Sequence, residues 1–255
     1  MALEMFNLNG RRALVTGSTQ GIGFGLARGL AQAGATVVLN GRAAEKTFAA
    51  AERLRSYGFT VEEAAFDVTD GAAAAEAVDQ IEADRGAIDI LLNNAGINRR
   101  AALHEQDEAD WRAVIDTNLN SVFLVSKAVA RHMIPRGRGK IVNTCSVMSE
   151  LARPTVGAYA SAKGALRMLT RSMCADWGPL GIQANGIAPG YFKTELTGPL
   201  ADDPAFNTWL EGRTPNGRWG EIDDLVGAAI YLSAPASDFV NGHLLAVDGG
   251  LTVVV

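Results

Sequence analysis

Arg12-Ala13-Leu14-Val15-Thr16, followed by Gly17-Ser18-Thr19-Gln20-Gly21-Ile22-Gly23 and then by a helical stretch over 24–33, decides the fold of this chain. The first five residues read as a short buried strand. The glycines permit a tight turn and let backbone approach a ligand closely. A helix that starts there offers unpaired N–H groups to a pyrophosphate. Strand, glycine turn and helix together form a dinucleotide-type phosphate cradle. The spacing is Gly-x3-Gly-x-Gly, a variant of the usual Gly-x-Gly-x2-Gly. An ordinary glycine turn ahead of a helix is the alternative reading.

Strand and helix signals alternate outward from this unit. Strands are expected over 13–16, 36–40, 60–66, 88–93, 140–145, 182–188 and 244–247. Helices are expected over 43–57, 71–85 with Asp70 as N-cap, 107–133 ended by Pro135, Gly137 and Gly139, and 155–177. Such alternation predicts an α/β fold, a Rossmann-type doubly wound parallel sheet of about seven strands with helices on both faces. No repeat or linker divides the chain, so residues 1–255 are expected to form one domain. Segment 189–215 breaks the alternation, and its prolines and glycines mark it as a mobile substrate lid.

Bulk properties narrow the classes. With 255 residues, 48% hydrophobic and 20% charged, the chain can bury a large core. A net charge of −5 argues against nucleic-acid binding. No stretch approaches the ~20 apolar residues of a membrane span. The first ten residues carry no signal-peptide pattern. Cys145 and Cys174 are the only cysteines and form no disulfide framework, which points to a reducing cytoplasm. Cys145 reads as a small buried residue at a strand end. His104, His132 and His243 lack ligand-like spacing and read as structural or exposed, so no metal is expected.

Tyr159 and Lys163 lie one turn apart on an expected helix and share a face. A fixed ammonium favours the phenolate and would bring a phenol pKa of ~10 towards neutrality. That suits an acid/base that moves a proton on or off an alcohol. Ser146 ends a strand, where such sheets place their ligands. Asn118 sits mid-helix despite poor propensity. Taken alone, Ser146 could be satisfied by backbone and Asn118 could bond locally.

Thr16 to Gly23, Asn93-Asn94-Ala95-Gly96, Asn118, Ser146, Tyr159 with Lys163, Pro189-Gly190 and Asp248-Gly249-Gly250 appear in this order along nearly the whole chain. The set resembles the short-chain dehydrogenase/reductase family. The resemblance implies hydride transfer between a nicotinamide cofactor and a carbonyl, with Asn118, Ser146, Tyr159 and Lys163 catalytic. It implies that Asn118 supports a water linking Lys163 to solvent, and that Lys163 also bonds the nicotinamide ribose. It implies cofactor contacts from Gly17, Ser18, Thr19, Gln20, Gly21, Ile22, Gly23, Asn40, Arg42, Asp67, Val68, Asn94, Ala95, Gly96, Tyr159, Lys163, Pro189, Gly190 and Thr194, with Asp67 and Val68 near the adenine. The second strand ends Asn40-Gly41-Arg42, without the acidic residue that bonds a ribose 2′-hydroxyl in NAD enzymes. Arg42 could instead pair with a 2′-phosphate, so NADP is the expected cofactor, with NAD possible.

Leu39 to Arg42, Cys145 to Pro154 and Arg218 to Glu221 resemble the gluconate 5-dehydrogenase-like branch. That resemblance implies a sugar-acid substrate, and Arg99, Glu150 and Arg153 are its candidate contacts. A 3-oxoacyl-thioester reductase is the other substrate reading, and a non-catalytic nucleotide-binding regulator is the reading from another class. The apolar end, Gly249 to Val255, is poorly suited to solvent. The resemblance implies a homotetramer with this tail packed across an interface. A tail folded onto its own domain is the alternative.

Overall fold

Seven parallel strands form one sheet in the computed structural model, which describes residues 4–195 and 197–254. The strands are β1 (Arg12–Val15), β2 (Thr36–Gly41), β3 (Val61–Ala65), β4 (Ile90–Asn93), β5 (Gly139–Thr144), β6 (Ile182–Pro189) and β7 (Leu244–Val247). Their order is β3-β2-β1-β4-β5-β6-β7. Val15 lies opposite Leu39 on one side and Leu92 on the other, and Leu92 lies opposite Val142. The order reverses between β1 and β4. A crevice therefore opens at their carboxyl ends, the place where such sheets bind ligands.

The helices are α1 (Gly21–Gln32), α2 (Ala44–Arg55), α3 (Gly71–Asp84), α4 (Glu108–Ile115), α5 (Ser121–Arg136), α6 (Gly157–Trp177), α7 (Gly198–Ala201), α8 (Pro204–Arg213) and α9 (Ile222–Ser233). Strand side chains alternate between two cores. Val15, Leu39 and Leu92 pack with Leu26 and Leu30 of α1 and Leu225 of α9. Leu14, Val38 and Leu91 pack with Val78 of α3, Val125 of α5 and Leu166 of α6. The central strands β1 and β4 are buried on both faces, which is why they read as continuous apolar runs. Asp70 caps α3 as expected, accepting from the Ala72 and Ala73 N–H groups at 3.0 Å.

Three segments differ from the expected elements. The 107–133 helix is split by a π-helical turn over Asp116–Asn120, and Pro135 lies inside the last turn of α5. Gly137, at φ 65°, is the residue that stops it. The helix expected from 155 starts at Gly157, because Thr155 has φ 69° and is left-handed. Segment 189–215 is not irregular, since α7 and α8 lie within it. Its Pro204 is not a breaker but the first residue of α8, where a fixed φ suits a helix start, and Asp203 caps that helix at 2.9 Å from the Ala205 N–H. Position 196 of this segment, residues 1–3 of the amino-terminal stretch and Val255 of the tail lie outside the described residues. Within the tail, Leu251 folds onto its own domain against Val147, Leu210 and Trp219, while Val253 is 81% exposed. Among the described residues no helix is long and apolar enough to cross a membrane.

Candidate active site

The glycine turn is held from beneath by the turn that follows β4. Thr16 Oγ1 accepts from the Asn94 N–H at 3.0 Å and the Ala95 N–H at 3.2 Å. Asn94 Nδ2 donates to the Gly17 carbonyl at 3.0 Å. The fit leaves no room for side chains: a Cβ on Gly17 would lie 2.8 Å from Ala95 Cα, and one on Gly23 would lie 2.3 Å from the Gly17 oxygen. Gly21, by contrast, faces open space. No side chain caps the start of α1 at Gln20. Its first N–H groups are thus free for a pyrophosphate, and the cradle fits a dinucleotide.

Other expected cofactor residues divide into two groups. The side chains of Ser18 and Asn40 turn inward, so any contact of these positions with a cofactor falls to their backbone. Ser18 Oγ donates to the Val15 carbonyl at 2.7 Å. Asn40 Nδ2 donates to the Ala64 and Phe66 carbonyls, both at 3.1 Å, and its Oδ1 accepts from the Gly17 N–H at 3.3 Å. A buried amide is satisfied here by backbone, so Asn40 braces β2 and β3 against the cradle. Gly41 and Arg42 border the crevice instead. A Cβ at Gly41 would meet Thr19 Cγ2 at 2.6 Å and Thr47 Oγ1 at 2.8 Å, so position 41 is crowded by both threonines. Arg42 is exposed. The Asp67 carboxyl is held below the usual range chiefly by the Thr69 N–H, with the Arg42 charge contributing.

Val68 is buried, and Ile22 packs against the first core. Gln20 Nε2 donates to Glu195 at 2.5 Å, tying the cradle to the 189–215 segment. Pro189 ends β6, and the Gly190 N–H donates to the Val247 carbonyl at 3.0 Å. Thr194 Oγ1 lies 3.1 Å from Thr197 Oγ1.

Ser146, Tyr159 and Lys163 converge beyond the end of β5. Buried polar side chains set the position of α6: Asn93 Nδ2 donates to Asn143 Oδ1, and Asn143 Nδ2 donates to Thr170 Oγ1, both at 2.9 Å. Ser149 Oγ adds a bond to the Lys163 carbonyl at 2.9 Å. Ser146 Oγ accepts from the Met148 N–H at 3.1 Å, which leaves its own hydrogen free to donate. Lys163 Nζ is buried, donates to the Thr144 carbonyl at 2.6 Å and lies 5.6 Å from the Tyr159 ring centroid. Burial pushes the Lys163 ammonium down to about 8.

The expectation that Lys163 lowers the Tyr159 pKa is not met. Burial pushes the phenol up, and the counterweight is the Ser146 hydroxyl. The ammonium points to the Thr144 carbonyl rather than to the phenol oxygen. Asn118 lies in the π-helical turn, where its Nδ2 donates to the Ile97 carbonyl at 2.8 Å and the Val114 carbonyl at 2.9 Å. Its buried Oδ1 has no partner in the protein. Such a turn is a frequent mark of a functional site. Cys145 is buried and its thiol is pushed up to about 11, an inert core residue as expected.

The substrate candidates are rearranged. Arg99 pairs with Asp110 at 3.7 Å, and Glu150 pairs with Arg167 at 3.0 Å. Arg153 turns to the aromatic residues beyond β6: its Nη1 donates to Tyr191 Oη at 3.2 Å, and its guanidinium lies 4.9 Å from the Phe206 ring centroid. Tyr191 also packs edge-on against Phe206, Trp209 and Trp219. This aromatic wall went unread because its members are dispersed over 191–219 with no period. A cavity of about 260 Å³ lies behind Tyr191, lined by Phe192, Leu210 and Thr214 among others, and does not include Ser146, Tyr159 or Lys163.

Comparison with known proteins agrees with this geometry. A family model for enoyl-(acyl carrier protein) reductases matches residues 17–252. A gluconate 5-dehydrogenase of Gluconobacter oxydans is 57% identical over 250 residues, 98% of each chain. A 5-keto-D-gluconate 5-reductase of Escherichia coli is 52% identical over 252 residues, 99% of each chain. The crystal structure of a gluconate 5-dehydrogenase from Burkholderia cenocepacia, in complex with NADP and tartrate, is 60% identical, superposes with a TM-score of 0.98 and covers 100% of both chains. With the glycine cradle at the switch point of a seven-stranded parallel sheet and Ser146, Tyr159 and Lys163 together beyond β5, the chain belongs to the short-chain dehydrogenase/reductase family.

Proposed function

We propose that this chain is an NADP-dependent oxidoreductase that interconverts D-gluconate and 5-keto-D-gluconate or a close sugar acid. The observation that carries the proposal is the convergence of Ser146, Tyr159 and Lys163 next to an uncapped glycine cradle. The names of the relatives supply the substrate class, and the NADP and tartrate bound by one of them fit a hydroxy-acid site.

NADP, when bound, supplies or accepts the hydride. Gly17 to Gly23, with Asn94 to Gly96 behind them, would hold its pyrophosphate, and Arg42 its 2′-phosphate. The chain's own residues manage the oxygen and its proton. Ser146 donates a hydrogen bond to the reacting oxygen, orienting and polarising it. The Tyr159 hydroxyl gives that oxygen a proton in reduction and takes one from the alcohol in oxidation. Lys163 and Asn118 connect Tyr159 to solvent. The aromatic wall around Tyr191, which runs from the 189–215 segment to Trp219, acts as the lid that keeps water out.

Wild type and Arg42→Ala, assayed with NADPH and NADH on 5-keto-D-gluconate, test substrate and cofactor together. The expected result is reduction by the wild type with NADPH preferred. Arg42→Ala should lose roughly 10–100-fold in kcat/KM with NADPH, the size of a charge-assisted bond, and little with NADH. Equal weakening with both cofactors would overturn the role of Arg42. Efficient reduction of acetoacetyl thioesters, with none of any keto sugar acid, would move the assignment to a thioester reductase.

The same reading makes the enzyme a cytoplasmic homotetramer. Exposed Phe123 on α5 and Met168 on α6, 45% and 56% accessible, support packing between copies, as do exposed Val253 and Val254 in the tail. Sedimentation at micromolar concentration is expected to give the tetramer mass, and a monomer would refute the assembly.

A further inference from the structure

We infer that Asn143 of β5 and Thr170 of α6 are positioning residues for the reaction, a buried pin that fixes where α6 holds Tyr159 and Lys163 beyond the end of β5. The inference rests on the oxidoreductase reading, and on the sugar-acid substrate only for its assay. Its first support is the buried face of α6, where Lys163, Leu166, Thr170 and Met173 follow one another at helical spacing. Leu166 and Met173 pack in the second core, and apolar packing is non-directional. It holds a helix against a sheet without fixing its register, so directional bonds must do that. At Lys163, Nζ donates to the Thr144 carbonyl at 2.6 Å, and the Lys163 carbonyl accepts from Ser149 Oγ at 2.9 Å. A helix held at one place can still pivot about it. About two turns further on, roughly 10 Å along the axis, Asn143 Nδ2 donates to Thr170 Oγ1 at 2.9 Å and reaches Met173 Sδ at 3.7 Å. This second hold removes the pivot.

The second support is that the Asn143 amide is not needed to satisfy its neighbours. Asn93, Ser126, Asn143 and Thr170 are all buried. Thr170 Oγ1 donates to the Leu166 carbonyl at 2.8 Å, and Asn93 Nδ2 donates to Ser126 Oγ at 2.9 Å as well as to Asn143. An apolar residue at 143 would leave Thr170 its donor bond and Asn93 its bond to α5. Burying an amide is costly, and each hydrogen bond returns only a small net gain. What the amide adds is direction. The network is also lopsided. Ser126 ties β4 to α5, which carries none of Ser146, Tyr159 and Lys163, whereas Thr170 ties β5 to the helix that carries both Tyr159 and Lys163. A misplacement of about 1 Å at reacting groups can cost roughly 10²-fold in rate. Loss of the pin should therefore slow the reaction beyond what the lost stability explains.

Steady-state kinetics with NADPH and 5-keto-D-gluconate, beside denaturant titrations, test the pin in Asn143→Leu, Thr170→Val, Thr170→Ser and Ser126→Ala. Asn143→Leu and Thr170→Val are expected to lower kcat about 10–100-fold, with the KM for 5-keto-D-gluconate near the wild-type value. Thr170→Ser keeps the hydroxyl and should keep kcat near wild type. Ser126→Ala, on the α5 side of the same network, should lose stability and retain its kcat. Asn143→Leu and Thr170→Val combined should be no slower than the slower of the two alone, because both remove one bond. An unchanged kcat in Thr170→Val would overturn the pin. So would a kcat loss in Ser126→Ala equal to that in Thr170→Val at a similar loss of stability. Thr170→Val carries the test where Asn143→Leu does not fold. If the wild type reduces no keto sugar acid, the sugar-acid reading fails, and amide hydrogen exchange decides the pin separately. Faster exchange in α6 of Thr170→Val, with α5 as in the wild type, supports it, and unchanged exchange in α6 overturns it.

Discussion

Tyr159→Phe is expected to lower turnover by roughly 10²–10⁴-fold while nucleotide binding stays near wild type. The substitution removes one hydroxyl and keeps the ring. That ring packs against a small cluster of Val114, Ala158 and Ala162, which phenylalanine fills equally well. Nothing in the glycine cradle touches the phenol oxygen, so the dinucleotide should titrate as before. The loss should appear in kcat and kcat/KM alike, because the hydroxyl acts on the proton that moves in the transition state. Burial pushes the Tyr159 pKa up, so the phenol is protonated at neutral pH and ready to donate in reduction. Fluorescence titration with NADPH, beside steady-state rates, separates the two effects. Near-normal turnover in this variant would remove Tyr159 from the mechanism.

The cradle, the doubly wound parallel sheet and the Ser146–Tyr159–Lys163 set were legible because each depends on local chemistry. Buried strands such as Leu91-Leu92 must be apolar on both faces, and a turn as tight as Gly17–Gly23 must be glycine. Side-chain direction in loops has no such period. Arg99 pairs with Asp110, an acid on α4 that sequence spacing does not single out. The loop that carries Arg99 is held by a bridge from Ala101 to Val156, a residue far along the chain. Asn40 likewise looks like a strand-end ligand. It is consumed by the Gly17 N–H and the Ala64 and Phe66 carbonyls, partners that only the packed sheet brings near. The π-helical turn at Asp116–Asn120 left no mark beyond an Asn of poor helix propensity. The expectation of a phenol lowered by Lys163 failed for a similar reason. Sequence spacing put the two groups on one face but could not show the ammonium bonded to the Thr144 carbonyl.

Lys163→Met should also lower turnover by roughly 10²–10⁴-fold, the general acid/base range, and should change the pH profile in a way that Tyr159→Phe does not. Lys163 is 4% exposed, and burial holds its pKa near about 8, below the ordinary 10.5. At pH 7 it is still an ammonium, able to hold a proton beside Tyr159. As pH rises through about 8 that proton is lost, and the reductive rate of the wild type should fall with it. Methionine has no proton to lose, so the variant's residual rate should show no inflection there. A second readout needs no activity. Between about 8 and 10.5 the unfolded chain binds the Lys163 proton more tightly than the folded one, so wild-type stability gains from this group as pH rises across that window. The cost of burying the charge is therefore complete below about 8 and gone above 10.5. Denaturant titrations of wild type and Lys163→Met across those pH values should differ in slope, with the methionine variant lacking this gain. Matching slopes would mean that Lys163 is not a buried ammonium in the folded protein, and an unchanged reductive pH profile in the variant would detach it from the proton path.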